Sequence, residues 1–105
     1  MLPPDAQYED AAVAESAERG EEPPLFRVLL HNDDYTTMEF VVWVLESVFN
    51  MTAEQAVQVM LNVHVRGVGT AGVYTFEIAE MKVAKTNDLA REHEYPLLCT
   101  MERIP

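Results

Sequence analysis

Leu25-Phe26-Arg27-Val28-Leu29-Leu30-His31-Asn32-Asp33-Asp34-Tyr35-Thr36-Thr37-Met38-Glu39-Phe40 is the stretch that decides the fold. Leu25 to His31 reads as a strand, with Phe26, Val28 and Leu30 on one face and Leu25, Arg27 and Leu29 on the other. From Met38 the spacing turns helical. Val41, Val44, Leu45 and Val48 form the apolar stripe of a helix running to about Phe49. Between the two lie an amide and two adjacent carboxylates, Asn32-Asp33-Asp34. Carboxylates that close repel unless something cationic sits beside them. Two readings fit. Asn, Asp and Thr favour turns and helix N-caps, with Thr36 or Thr37 as the cap. Alternatively, the turn is the rim of a small pocket for a positive group.

Towards the C-terminus, Asn50 suits the helix exit, and Thr52 with Gln55 is a capping-box pattern that opens a second helix reaching about Val65. Ala53, Ala56, Val57, Met60, Leu61 and His64 are its predicted stripe. Gly67, Gly69 and Gly72 loosen the next segment, a turn and a strand to about Tyr74. Thr75 is placed to cap a third helix from Phe76 to about Glu92, with Ile78, Ala79, Val83, Ala84, Leu89 and Ala90 as its apolar positions. Pro96 stops any continuation, and Leu97 to Met101 is a closing strand. The order β-α-α-β-α-β predicts an α+β, two-layer sandwich: a small antiparallel sheet with three helices packed on one face.

Towards the N-terminus the character changes. Residues 1–24 hold seven acidic residues (Asp5, Glu9, Asp10, Glu15, Glu18, Glu21, Glu22) against Arg19 alone, and end in Pro23-Pro24. So few large hydrophobes cannot offset ordering entropy, and a flexible acidic extension is expected there. Residues 25–105 are expected to form one compact domain. Residues 1–24 carry -6 of the formal net charge of -11 and residues 25–105 the other -5; so negative a total argues against nucleic acid or an anionic membrane surface as a partner and favours cationic ligands. No apolar run approaches the roughly 20 residues of a membrane span, and no secretory signal order opens the chain. A cytoplasmic monomer is expected. The single cysteine, Cys99, cannot form an internal disulfide and reads as a buried structural thiol.

Catalytic equipment is sparse. Ser16 and Ser47 lie in no Gly-x-Ser-x-Gly elbow, and Gly67 to Gly72 lacks the lysine of a phosphate loop. His31, His64 and His93 are not at zinc-motif spacing. Asp33, Asp34 and His64 could meet at a metal, but no ligand pair stands at i, i+4. No catalytic residue, metal or cofactor is expected. His64, at the end of the second helix, either satisfies helix-end carbonyls and the dipole or accepts protons from an ammonium opposite Asn32 and Asp34. Met38 either fills the core or walls an apolar pocket under the turn. An acidic mouth over an apolar cavity would suit a free α-amino group attached to a large hydrophobic side chain.

Asn32-Asp33-Asp34-Tyr35-Thr36-x-Met38-Glu39-Phe40-Val41, Met60-Leu61-x-Val63-His64 and Glu92-x-Glu94-x-Pro96-Leu97-Leu98-Cys99-Thr100 together resemble the ClpS family, N-degron adaptors of the Clp protease. The resemblance spans about residues 24–103. It implies the fold of the ribosomal stalk C-terminal domain, which agrees with the element order above. It also implies a non-catalytic adaptor that binds proteins whose first residue is Leu, Phe, Tyr or Trp and hands them to the N-terminal domain of an AAA+ unfoldase of the ClpA or ClpC type. By resemblance, Asn32 and His64 would bind the α-amino group, with Asp34 acting through a water. Met38 would be the gatekeeper against β-branched side chains. Thr36, Val41, Val63 and Leu97 would line the cavity, and Glu77, Glu80 and Lys82 would dock on the unfoldase. Thr37 stands where the family often has Pro, Val68 replaces a common basic residue with Arg66 before it, and Trp43 stands where a polar residue would be less surprising. The competing classes are a stalk-like module that binds a translation factor and a small metal-dependent hydrolase.

Overall fold

A computed structural model describes residues 22–105. The elements are β1 (Leu25–His31), α1 (Met38–Ser47), α2 (Ala53–Arg66), β2 (Val68–Thr75), α3 (Phe76–Glu92) and β3 (Leu98–Arg103). Most of the acidic extension expected at residues 1–24 lies outside the described residues. β1 is the central strand of an antiparallel sheet ordered β2-β1-β3. Val28 and Leu30 alternate into the helical layer and join Phe40, Val44, Leu45, Ala56, Met60, Ala79 and Ala90 in one core. The fold is the predicted α+β sandwich with three helices on one face.

Local chemistry places the helix ends. Thr37, not Thr36, caps α1, its hydroxyl accepting from Phe40 N at 3.1 Å. α1 ends at Ser47, two residues short of the predicted end, because Val48 and Phe49 turn inward to be buried and Asn50 takes a left-handed φ of 56°. The capping box of α2 forms in both directions between Thr52 and Gln55. Thr75 occupies the N-cap position of α3 but its side chain makes no capping bond. β3 starts one residue later and runs two residues further than its sequence reading.

Two expectations about burial change. Of the predicted α2 stripe, Ala56 and Met60 are buried with Val63, whereas Ala53, Val57, Leu61 and His64 face solvent. The helix is rotated so that the Ala56–Met60–Val63 row meets the sheet. That row packs tightly: a side chain at Gly69 of β2 would lie 2.7 Å from a Val63 methyl. On α3, Ala79 and Ala90 are buried as expected and Ala84 is exposed, but the polar Lys82 and Thr86 are buried as well. Lys82, 6% exposed, donates to Val48 O at 2.7 Å, at the C-terminal end of α1, and lies over the rings of Phe49 and Tyr74. A cation there is held by the negative end of the helix and by aromatic faces. Cys99 is buried as predicted, and burial pushes its thiol up to about 12.

Candidate binding pocket

The turn between β1 and α1 closes on itself through Asp33. Its Oδ1 accepts from Tyr35 N at 2.8 Å and Thr36 N at 2.7 Å, and Thr36 Oγ1 donates to Oδ2 at 2.7 Å. Partial burial of Asp33 acts to raise its pKa. The hydrogen bonds from Thr36 and Tyr35 outweigh that and hold the carboxyl below its ordinary value. One of the two repelling carboxylates is therefore absorbed by backbone and hydroxyl donors, with no cation needed. That use explains Asp33, to which the sequence assigned no function of its own.

The rest of the turn is fixed against α2. Asn32 N donates to Gly67 O at 2.8 Å, and Gly67 closes α2 in a left-handed conformation, φ 87°, with its N–H on Val63 O. A residue with a side chain would be strained at that φ. These two bonds bring Asn32 beside the last turn of α2 and so beside His64.

A cavity of about 210 Å³ opens between the turn, the start of α1 and the end of α2, lined by Asn32, Asp33, Asp34, Thr36, Met38, Val41, Met60, Val63 and His64. Asn32, Asp34 and His64 make no side-chain hydrogen bond with another described residue. Their acceptor atoms are unspent at the mouth. Beneath them lie two thioethers and two valines: Met38, 47% exposed, stands at the entrance, and Val41, Met60 and Val63 are buried.

Seven of the predicted pocket residues, Asn32, Asp34, Thr36, Met38, Val41, Val63 and His64, line one cavity. Leu97 does not. It is buried beside Asn87, Ala90 and Tyr95, on the side of α3 and the loop before β3. From its place in the α2 stripe Met60 reads as a core residue. Its position at i-4 from His64 and i-3 from Val63 on α2 is the sequence signal that puts it on the cavity wall as well. Of the residues that the resemblance implies for docking, Glu77 and Glu80 are exposed and Lys82 is drawn inside. Among the described residues no three His, Cys, Asp or Glu side chains converge as metal ligands, so Asp33, Asp34 and His64 do not form the metal set considered from the sequence.

Trp43 also finds its packing. It sits 5.6 Å from Phe40 and 5.4 Å from His93, and Phe40 touches Tyr95 at 4.7 Å, all ring centre to ring centre. This aromatic cluster ties α1 to the loop after α3.

An amide, a carboxylate and an imidazole above an apolar floor can hold an ammonium whose substituent is hydrophobic. The Thr36 hydroxyl at the cavity is engaged by Asp33 in the turn, and Cys99 is buried elsewhere.

Comparison with known proteins agrees with this geometry. The family model described as "ATP-dependent Clp protease adaptor protein ClpS" matches residues 21–100. The ATP-dependent Clp protease adapter protein ClpS of Phenylobacterium zucineum is 52% identical over 98 residues, covering 93% of this chain and 90% of that protein. The same adapter from Hyphomonas neptunium is 63% identical over 81 residues, covering 77% of this chain and 69% of that protein. Among solved structures, Agrobacterium tumefaciens ClpS2 bound to L-phenylalaninamide superposes with a TM-score of 0.77 at 40% identity, covering 79% of this chain and 100% of that one.

Proposed function

The chain belongs to the ClpS family, adaptors of the ATP-dependent Clp protease that are not themselves enzymes, and on that premise we propose that it binds proteins by a first residue of Leu, Phe, Tyr or Trp and delivers them for degradation. The observation that carries this is the convergence of Asn32, Asp34 and His64, with unspent acceptors, above the cavity floored by Val41, Met60 and Val63. The similar Agrobacterium protein was solved with L-phenylalaninamide, which carries a free α-amino group and a benzyl side chain.

An α-amino group, with an ordinary pKa of about 7.7–8.0, is mostly cationic near neutrality. Asn32 and His64 accept from it directly, and Asp34 adds its charge through a water. Met38 and Thr36 narrow the entrance, so a side chain branched at Cβ meets the Met38 thioether while Leu and the aromatic residues pass. A charge-assisted hydrogen bond contributes about 1.5–3 kcal/mol and burial of one large side chain a similar amount. Association costs about 4–15 kcal/mol. Neither the amine nor the side chain suffices alone, so the adaptor requires both and can still release what it holds.

Delivery takes place in the cytoplasm, the protein acting as a monomer. Glu77 and Glu80 meet the N-terminal domain of a ClpA- or ClpC-type unfoldase, while Lys82, anchored on Val48 O, holds that face of α3 in place.

The test is a titration with fluorescein-labelled peptides differing only in their first residue. Leu, Phe, Tyr and Trp bind, Ile and Arg do not, and acetylating the first residue abolishes binding. Unchanged affinity of a Leu-first peptide after acetylation would sink the assignment of the pocket.

A further inference from the structure

The rotation of α2 leaves an apolar row outside the core. Val57 and Leu61 are each 41% exposed and Val65 is 80% exposed, and they succeed one another at i, i+4 and i+8 along one flank. Glu54, Gln58 and Asn62, all exposed and polar, stand three residues before Val57, Leu61 and Val65 and border the row. Scattered exposed hydrophobes are ordinary, whereas a contiguous row on one side of a helix is not. This row adjoins the cavity. Val57 stands at i-3 from Met60 and Leu61 at i-3 from His64, and both Met60 and His64 line the cavity wall. His64 joins the wall to the row.

We propose that Val57, Leu61 and Val65 form a second contact for the substrate, taking apolar side chains that follow the residue held in the cavity. This rests on the function proposed above: with the first residue bound by its amine at Asn32 and His64, the chain must leave across the mouth, where α2 ends. From Val57 to Val65 the helix rises about 12 Å at roughly 1.5 Å per residue. An extended peptide covers that distance in about four residues at roughly 3.3 Å each. Alternate side chains of those residues then face the row. With Glu54 the one ionisable side chain at the N-terminal end of this flank, hydrophobicity rather than charge does the selecting. The adaptor accordingly ranks substrates by their first five residues, favouring apolar openings such as those an unfolded or newly cleaved terminus presents.

Two peptides test this, both beginning with Phe and ending in fluorescein-labelled Lys. One continues Ser-Gly-Ser-Gly and the other Val-Leu-Val-Leu. The apolar peptide should bind about five- to tenfold tighter, the gain of covering a few half-exposed side chains. Leu61→Ser and Val65→Ser should each reduce that ratio towards one while leaving the Ser-Gly peptide's affinity unchanged; Val57→Ser provides an independent third variant. Equal affinities for the two peptides overturn the second contact and leave the cavity assignment standing, as does a preference that survives all three variants. Failure of both peptides to bind overturns the cavity assignment and this contact with it. A concentration-dependent dimer that Leu61→Ser abolishes, without any downstream preference, assigns the row to a second copy of the chain and also overturns the proposal.

Discussion

The Asn32–Thr37 turn and the first turns of α3 are both rich in charge and both read from the sequence as contact sites, yet the fold treats them in opposite ways. In the turn it spends one acid internally, on the Asp33 bonds to Tyr35 and Thr36, and leaves Asn32 and Asp34 facing the cavity with His64. On α3 it takes the cation inside, onto Val48 O and the rings of Phe49 and Tyr74, and leaves Glu77 and Glu80 in solvent. Charge in a sequence therefore says that something must be satisfied. Which group is satisfied by the protein, and which is left for a partner, depends on the donors and acceptors that the fold brings within reach.

The largest expected effect lies on the turn. Asn32→Ala or His64→Ala should weaken a Leu-first peptide by about ten- to a hundredfold, the loss of one charge-assisted hydrogen bond, with little change in thermal stability. A large drop in stability without a loss of affinity would put these residues on the Asp33 side of the comparison. On α3 the pattern should reverse. Lys82→Ala leaves Val48 O without that donor and should cost about 1–3 kcal/mol in a urea melt, whereas Glu77→Ala and Glu80→Ala should stay within about 0.5 kcal/mol. Should Lys82→Ala weaken unfoldase binding with stability intact, Lys82 is a contact residue after all.

Asp33→Asn sharpens the turn itself. It removes the acceptor of the Thr36 hydroxyl and should cost about 1 kcal/mol near neutrality. The sign of its pH dependence follows from the depressed folded pKa. The carboxylate's contribution is complete above the ordinary value of 3.8 and is lost as pH falls through the lower folded value. The gap between wild type and Asp33→Asn should therefore close in acid; a gap that stayed constant down to pH 2 would remove the hydrogen bonds to the charged form as its cause. The smallest effect is expected of Trp43→Ala. It loses ring contacts with Phe40 and His93 on a side chain already 42% exposed, about 0.5–1 kcal/mol in the same melt.

Much of this was legible without coordinates. The element order, the Thr52–Gln55 capping box, the α1 stripe and the buried Cys99 are all present as spacing and cap chemistry within a few residues. Asn32, Asp34, Met38 and His64 stand out through their motifs, and the fold brings them to one cavity. What was not legible involves long-range neighbours. Helical period alone did not choose between the Ala56–Met60–Val63 row and the Ala53–Val57–Leu61 row, because both are apolar and only one fits closely over Gly69 of β2. Leu97 reads as a pocket wall in its motif and is buried in the core, where it borders a hollow with Asn87, Ala90 and Tyr95.

The sequence by itself determined the elements and their order, since strands, caps and helices are set by contacts a few residues apart. It also determined the kinds of atom available at the turn. The tertiary structure decided which of those atoms remain unspent. Asn32 reaches His64 because Asn32 N bonds Gly67 O across the gap between β1 and α2. Lys82 is buried because Val48 O ends a helix beside it. Each of these pairs lies more than thirty residues apart in the chain, and hydrogen bonds and close packing at that separation follow from the whole fold rather than from any local pattern.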